Sequence, residues 1–159
     1  MGRPSSESHV LLVEPDALLR HGVALQLAEQ ARVHAEARFE TAASRLQAAD
    51  GSSYGLLVTN LRLDAYNGLH LVYLMQHLGL RARTVVYAGH ADRLIAREAQ
   101  SAGAFFERLE RIPRALTPYL LADLPEHDRR SADAFDRRAY PRGGRRWWDA
   151  QLLRPVQSL

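Results

Sequence analysis

Five short apolar runs, each followed by a stretch with helical spacing, occupy the chain from His9 to Leu121. His9–Val13 (HVLLV) is apolar nearly throughout, as a strand buried on both faces is. Pro15 and Asp16 then open a pattern in which Leu18, Leu19, Val23, Leu25, Leu27 and Ala28 share a broad helical face, and Asp16 suits the N-cap. Val33–Phe39 (VHAEARF) alternates apolar and polar and predicts a second strand. Thr41–Ala49 predicts a helix capped by Thr41, and Asp50–Ser53 (DGSS) is turn punctuation. Tyr54–Thr59 (YGLLVT) predicts a third strand, Leu69–Leu78 a helix and Thr84–Ala88 (TVVYA) a fourth strand. Asp92–Ala102 predicts a helix stopped by Gly103, Ala104–Arg108 a fifth strand and Arg111–Leu121 a last helix.

Apolar strands alternating with amphipathic helices imply an α/β fold, a doubly wound parallel sheet covered on both faces. Ligands of such sheets gather outside the carboxyl ends of the strands, near the point where strand order reverses. The positions to interrogate are therefore Glu14–Asp16, Asn60, Ala88–Gly89 and Arg108.

Beyond Pro125 the pattern stops. Residues 125–159 are rich in Arg, Asp, Gly and Pro, with five Arg in Arg137–Arg146 (RRAYPRGGRR), followed by Trp147, Trp148, Leu152 and Leu153. The division expected is a domain over 8–124 and an Arg- and Trp-bearing extension over 125–159 without a core of its own. The net charge of +3 belongs to the extension, because Met1–Pro125 balances 13 Arg against 13 acids while the rest has 8 against 5. All 21 basic residues are Arg, so no mechanism here can use a lysine ammonium, and the absence of cysteine excludes disulfides and thiolate chemistry. No signal peptide or run of ~20 apolar residues is visible. The expectation is a soluble cytoplasmic protein without membrane contact.

The ordered set HVLLVEPDALLR, LLVTNLRLDAYNGL, TVVYAGHAD and SAGAFF, spread over Ser8–Leu121, resembles the response-regulator receiver family of two-component signalling. The resemblance implies a flavodoxin-like (βα)5 fold with five parallel strands in the order 2-1-3-4-5. It also implies a phosphoryl-accepting pocket. In the family an aspartate after the third strand attacks phosphorus, acids after the first strand hold Mg²⁺, and a Thr or Ser and a Lys bind the product.

This chain departs from that pattern at each position. The nucleophile position is Asn60, a neutral amide. The acid cluster reads Glu14, Pro15, Asp16, with proline where the direct metal ligand is expected. The hydroxyl position is Ala88. The lysine position is Arg108, if FFER is aligned to keep two aromatics and an acid ahead of the cation, or Glu110, if spacing from Gly103 is kept. The expectation is a pseudo-receiver with a degenerate pocket and with no catalytic residue, metal or cofactor. Asp64 in the following loop is read as a turn residue.

Other chemistry is weakly supported. None of the seven His forms an HxH or HExxH pattern, there is no P-loop, and His34, His70 and His77 read as structural or solvated. His90 lies near the pocket. Phe105 and Phe106 read mainly as core, with one of them a candidate reporter to the face of the fourth and fifth helices. Trp147 and Trp148, with Tyr140 before them, point to protein contact more than to nucleic acid, since three acids dilute the Arg cluster and no DNA-binding domain fits in the extension. The partner expected is a histidine kinase, a phosphotransfer protein, a transcription regulator or a second copy. A nucleic-acid-binding regulator using the Arg-rich tail and a small-ligand sensor using the pocket are the rival readings.

Overall fold

A computed structural model describes residues 9–48, 54–90 and 92–122. The expectations for Trp147, Trp148 and the 125–159 extension lie outside the described residues. The elements are β1 (His9–Val13), α1 (Ala17–Ala28), β2 (Arg32–Glu36), α2 (Phe39–Gln47), β3 (Tyr54–Asn60), β4 (Arg62–Leu63), β5 (Tyr66–Asn67), α3 (Leu69–His77), β6 (Arg83–Ala88), α4 (Arg93–Ser101), β7 (Phe105–Arg108) and α5 (Leu116–Leu121). A short 3₁₀ turn, Leu109–Arg111, precedes α5.

The main sheet is parallel in the order β2-β1-β3-β6-β7. Apart from the hairpin strands β4 and β5, this is the order 2-1-3-4-5 that the resemblance implies, in the doubly wound parallel sheet that the alternation of elements predicts. Side chains alternate across it with the two-residue period of a strand. Val10, Leu12, Val58, Val85, Tyr87 and Phe105 pack with Val23 and Leu27 of α1 and Leu116 and Tyr119 of α5. Leu11, Val13 and Leu57 pack on the other face with Ala42 and Leu46 of α2 and Leu71 and Met75 of α3. Val86 and Ala88 join Val72 and Ala99 in a third cluster, against which Phe106 rests. Each fully buried leucine contributes about 1.5–3 kcal/mol, so these three clusters carry the fold. No helix among the described residues is long and apolar enough to cross a membrane.

Three local expectations are corrected. The second strand is Arg32–Glu36, not Val33–Phe39, because α2 begins at Phe39. Phe39 packs against the α2–α3 core and stacks on Tyr66 with ring centroids 4.2 Å apart, a contact that needs it on the helix. Thr41 is therefore inside the first turn, its hydroxyl donating to the Arg38 carbonyl (3.1 Å), and Arg38 occupies the N-cap without a side-chain bond. The last helix is shortened to Leu116–Leu121, since Pro113 holds Ile112 extended (ψ 137°) and helix cannot run through it. The β4–β5 hairpin, too short to leave a periodic signal, fills the loop after β3, and Asp64 adopts a left-handed φ of 53° at its turn.

Candidate functional site

The site forms where β1, β3 and β6 end side by side. Glu14 follows β1 and is 1% exposed. Its backbone N–H continues the ladder to the Glu36 carbonyl (3.0 Å), which fixes the side chain at the mouth of the sheet. Asn60 is the last residue of β3, and its register partner on β6 is Tyr87. Ala88 follows Tyr87, and its partner on β7 is Arg108.

A buried carboxylate is costly unless it is hydrogen-bonded, and Glu14 is bonded on both oxygens. Oε1 accepts from the Asp16 backbone N–H (2.8 Å). Oε2 accepts from the Asn60 side-chain amide, Nδ2 at 2.9 Å, and from the Tyr87 hydroxyl in a short contact. The Asn60 side-chain oxygen, Oδ1, accepts in turn from the Arg62 backbone N–H (3.0 Å), which sets the amide's orientation. Burial, and then the hydrogen bond and charge of Glu14, push the Tyr87 phenol well above its ordinary value of 10.0, so Tyr87 stays a donor.

The rest of the cluster holds the loop in shape. Asp16 accepts from the Leu19 N–H (2.8 Å) and caps α1, so its carboxylate is committed to the helix. Arg20 reaches back from the next turn to the carbonyls of Glu14 (2.7 Å) and Pro15 (3.1 Å). Gly68 sits so close to β3 that an added Cβ would lie 2.3 Å from the Asn60 carbonyl oxygen. Only a residue without a side chain lets α3 start there.

Glu14 and Asn60 meet through their side chains and Asp16 through its backbone N–H, Pro15 stands between the two acids, and Ala88, buried, follows Tyr87, the register partner of Asn60. Arg108 lies at the end of β7 and makes its ion pair with Glu110 (3.1 Å) on the surface, so the two candidates for the lysine position pair with each other. Phe105 is core, its ring 5.0 Å from that of Tyr119, whereas Phe106 is half-buried toward α4. His34 shares a 2.5 Å hydrogen bond with the Tyr54 hydroxyl, and His70 accepts from the Asn67 N–H (3.2 Å), both structural roles. His77 and His90 are exposed. The residue missed is Tyr87. Within TVVYA it reads as one more apolar strand position, and only the register with Asn60 reveals its hydroxyl at Glu14.

The Mg²⁺ that the resemblance implies does not fit these residues. Magnesium demands hard anionic oxygens in near-octahedral geometry. Here one carboxylate is already satisfied by three donors, Asn60 turns an N–H toward it, and Pro15 offers no side-chain oxygen.

No family model and no curated protein matches this sequence. Solved structures do match in fold. A response regulator receiver domain protein from Clostridium thermocellum superposes with a TM-score of 0.65 at 13% identity, covering 82% of this chain and 96% of that one. A LuxR-family two-component response regulator from Aurantimonas gives 0.60 at 22% identity, covering 70% and 80%. The response regulator DrrB from Thermotoga maritima, an OmpR/PhoB homolog, gives 0.60 at 16% identity, and the match spans 69% of this chain but 49% of DrrB. The fold is the flavodoxin-like fold of response-regulator receiver domains.

Proposed function

We propose that the chain is a phosphorylation-independent pseudo-receiver, a protein-interaction module of bacterial signal transduction or transcription regulation, working in the cytoplasm and not as an enzyme. The observation that carries this reading is the Asn60 amide donating to Glu14. In a working pocket two carboxylates at this separation are held together by a dication; here an amide and a phenol supply the positive ends of dipoles instead. With no nucleophile at Asn60, no ligand at Pro15, no hydroxyl at Ala88 and no lysine anywhere, phosphoryl transfer lacks its acceptor, one metal ligand and both product-binding groups.

What the domain offers a partner is surface. Helix α4 carries Leu94, 72% exposed, and α5 carries Leu121, 67% exposed, while Phe106 of β7 is half-buried against the third core cluster. A histidine kinase, a phosphotransfer protein or a transcription regulator docking there, or a second copy, fits this reading, and Trp147 and Trp148 of the extension supply further contact area. Incubation of the full chain with Mg²⁺ and acetyl phosphate, followed by intact mass, tests the loss of phosphoryl chemistry. The mass is expected to be unchanged, and a labile adduct of one phosphoryl group, released by hydroxylamine as an acyl phosphate is, would overturn the reading.

A further inference from the structure

A strand at the edge of a sheet presents backbone N–H and C=O groups that invite another strand. Among the described residues β2 is such an edge, with β1 as its one neighbour in the sheet. Which groups face outward follows from a single bond. The Glu36 carbonyl accepts from the Glu14 N–H (3.0 Å), so Glu36 turns its backbone groups toward β1. Alternation along the strand turns those of Arg32 and His34 the same way and those of Val33 and Ala35 outward. Side chains alternate across the sheet as well. Val33 packs against the cluster under α1 and α5, and His34 bonds Tyr54 on the other face. Arg32 and Glu36 share the face of His34, two positions to either side of it. Glu36 pairs with Arg45 through Oε1. Arg32 is exposed, and its guanidinium makes no ion pair among the described residues.

We propose that the β2 edge pairs with the β2 edge of a second copy of this chain, antiparallel about a twofold axis at His34. Hydrogen bonding and charge together select that axis. Antiparallel residues that exchange bonds must both turn their backbone groups to the seam. With the axis at His34, Val33 of each copy meets Ala35 of the other, and these are the outward-facing residues. Axes at Val33 or Ala35 satisfy the backbone as well, but they set Arg32 against His34 or against Arg38. Only the axis at His34 sets Arg32 against Glu36, opposite charges directly across the seam, and the symmetry repeats the pair. The charges just beyond the strand agree. Each end of the seam holds exposed Glu29 and Arg32 of one copy with Glu36 and exposed Arg38 of the other, two of each sign. Edge pairing takes its affinity from main-chain hydrogen bonds rather than from apolar area, and a strand of five residues makes the association weak. The edge lies away from the Glu14 pocket and at the opposite end of the sheet from β7, against which α4 packs. The inference goes beyond the pseudo-receiver reading and does not rest on it.

Sedimentation equilibrium of the full chain, loaded from about 5 to 500 µM to bracket weak association, is expected to show a monomer–dimer equilibrium. Ala35→Pro removes an outward N–H from each copy and spares the bonds to β1, as proline at a sheet edge does. Arg32→Glu, at an exposed side chain, sets like charges across the seam. Each is expected to weaken the dimer about tenfold or more, and Arg32→Glu leaves the circular dichroism spectrum unchanged, so the test stands even where the proline disturbs the strand. The chain has no cysteine, so His34→Cys places its one thiol on the axis. Opposed Cα atoms there are about 4.5 Å apart, within the range of about 4.4–6.8 Å that a disulfide bridges. Mild oxidation is expected to link His34→Cys into a covalent dimer. It is expected to leave Ala35→Cys, whose thiol lies off the axis on the other face, unlinked at the same concentration. A chain monomeric throughout, a dimer untouched by both Ala35→Pro and Arg32→Glu, or Ala35→Cys linking as readily as His34→Cys would each overturn the proposal. None of these results bears on phosphoryl transfer, which the mass measurement decides separately.

Discussion

Asn60 decides the chemistry of the pocket by what it does to Glu14. Replacing it by aspartate restores the family's nucleophile in name, but it removes a donor to a buried carboxylate and sets a second carboxylate against it. Asn60→Asp is therefore expected to destabilise the domain by about 1–3 kcal/mol at pH 7, read from urea melts. Two carboxylates at this separation cannot both ionise cheaply, so the pair binds one proton more tightly when folded than when unfolded. The deficit is expected in full at neutral pH and to shrink as pH falls toward the ordinary carboxylate range near ~4; a deficit that stays constant would contradict it. Tyr87→Phe tests the other donor. It is expected to cost about 1–2 kcal/mol at pH 7 through the lost bond to Glu14. The folded chain keeps the Tyr87 proton that the unfolded chain releases above its ordinary 10.0. This contribution is fully present below pH 10 and is lost as pH rises beyond it, at about 1.4 kcal/mol per pH unit for one proton. The variant's stability is expected to fall less steeply there, by one proton's worth of slope. Asn60 was legible because it stands in a motif; Tyr87 was not, because a phenol in an apolar run carries no mark of what its hydroxyl meets.

At the level of elements, the strands were legible wherever burial on both faces leaves an unbroken apolar run, as in β1, β3 and β6. The α2 and α5 starts were not, because a tertiary contact at Phe39 outweighs a cap at Thr41, and Pro113 interrupts a helical pattern that the apolar spacing alone continues. Helix α4 has a cost that its sequence also conceals. Gln100 is buried (7% exposed), and neither its side-chain oxygen nor its nitrogen has a hydrogen-bond partner among the described residues. Its neighbours on the buried side of the helix, Ala96 and Ala99, belong to an apolar contact. A buried amide left unpaired costs about 1–3 kcal/mol. Gln100→Leu, similar in volume and better in helix propensity, is expected to raise stability by about 1–2 kcal/mol, several degrees in melting temperature for a domain of this size. A variant no more stable than the parent would mean that the amide is satisfied in solution.

Taken whole, the molecule has the receiver architecture, and its strand-end carboxylate, Glu14, takes its hydrogen bonds from within the chain. A binding event shifts a conformational equilibrium only by its differential affinity for the two states, and a cation that finds no site has none to offer. This gives a measurable expectation for the intact protein. A receiver that bound Mg²⁺ with a Kd of about 1 mM would gain about 1.4 kcal/mol at 10 mM, several degrees in a thermal melt of about 100 residues. Here Glu14 would have to give up Asn60 and Tyr87 before accepting a metal, trading two satisfied bonds for one ligand while Pro15 supplies none. The melting temperature in 10 mM MgCl₂ is therefore expected to match that in NaCl of equal ionic strength, and terminal-helix amide exchange is expected to be unchanged by adding acetyl phosphate. A specific rise with Mg²⁺, absent with the matched salt, would show that the Glu14 network opens and that the pocket still reads a cation. Signal would then have to enter elsewhere only if that rise is missing. In that case the proposed partner contact belongs to the helical flank that carries exposed Leu94 rather than to the strand ends.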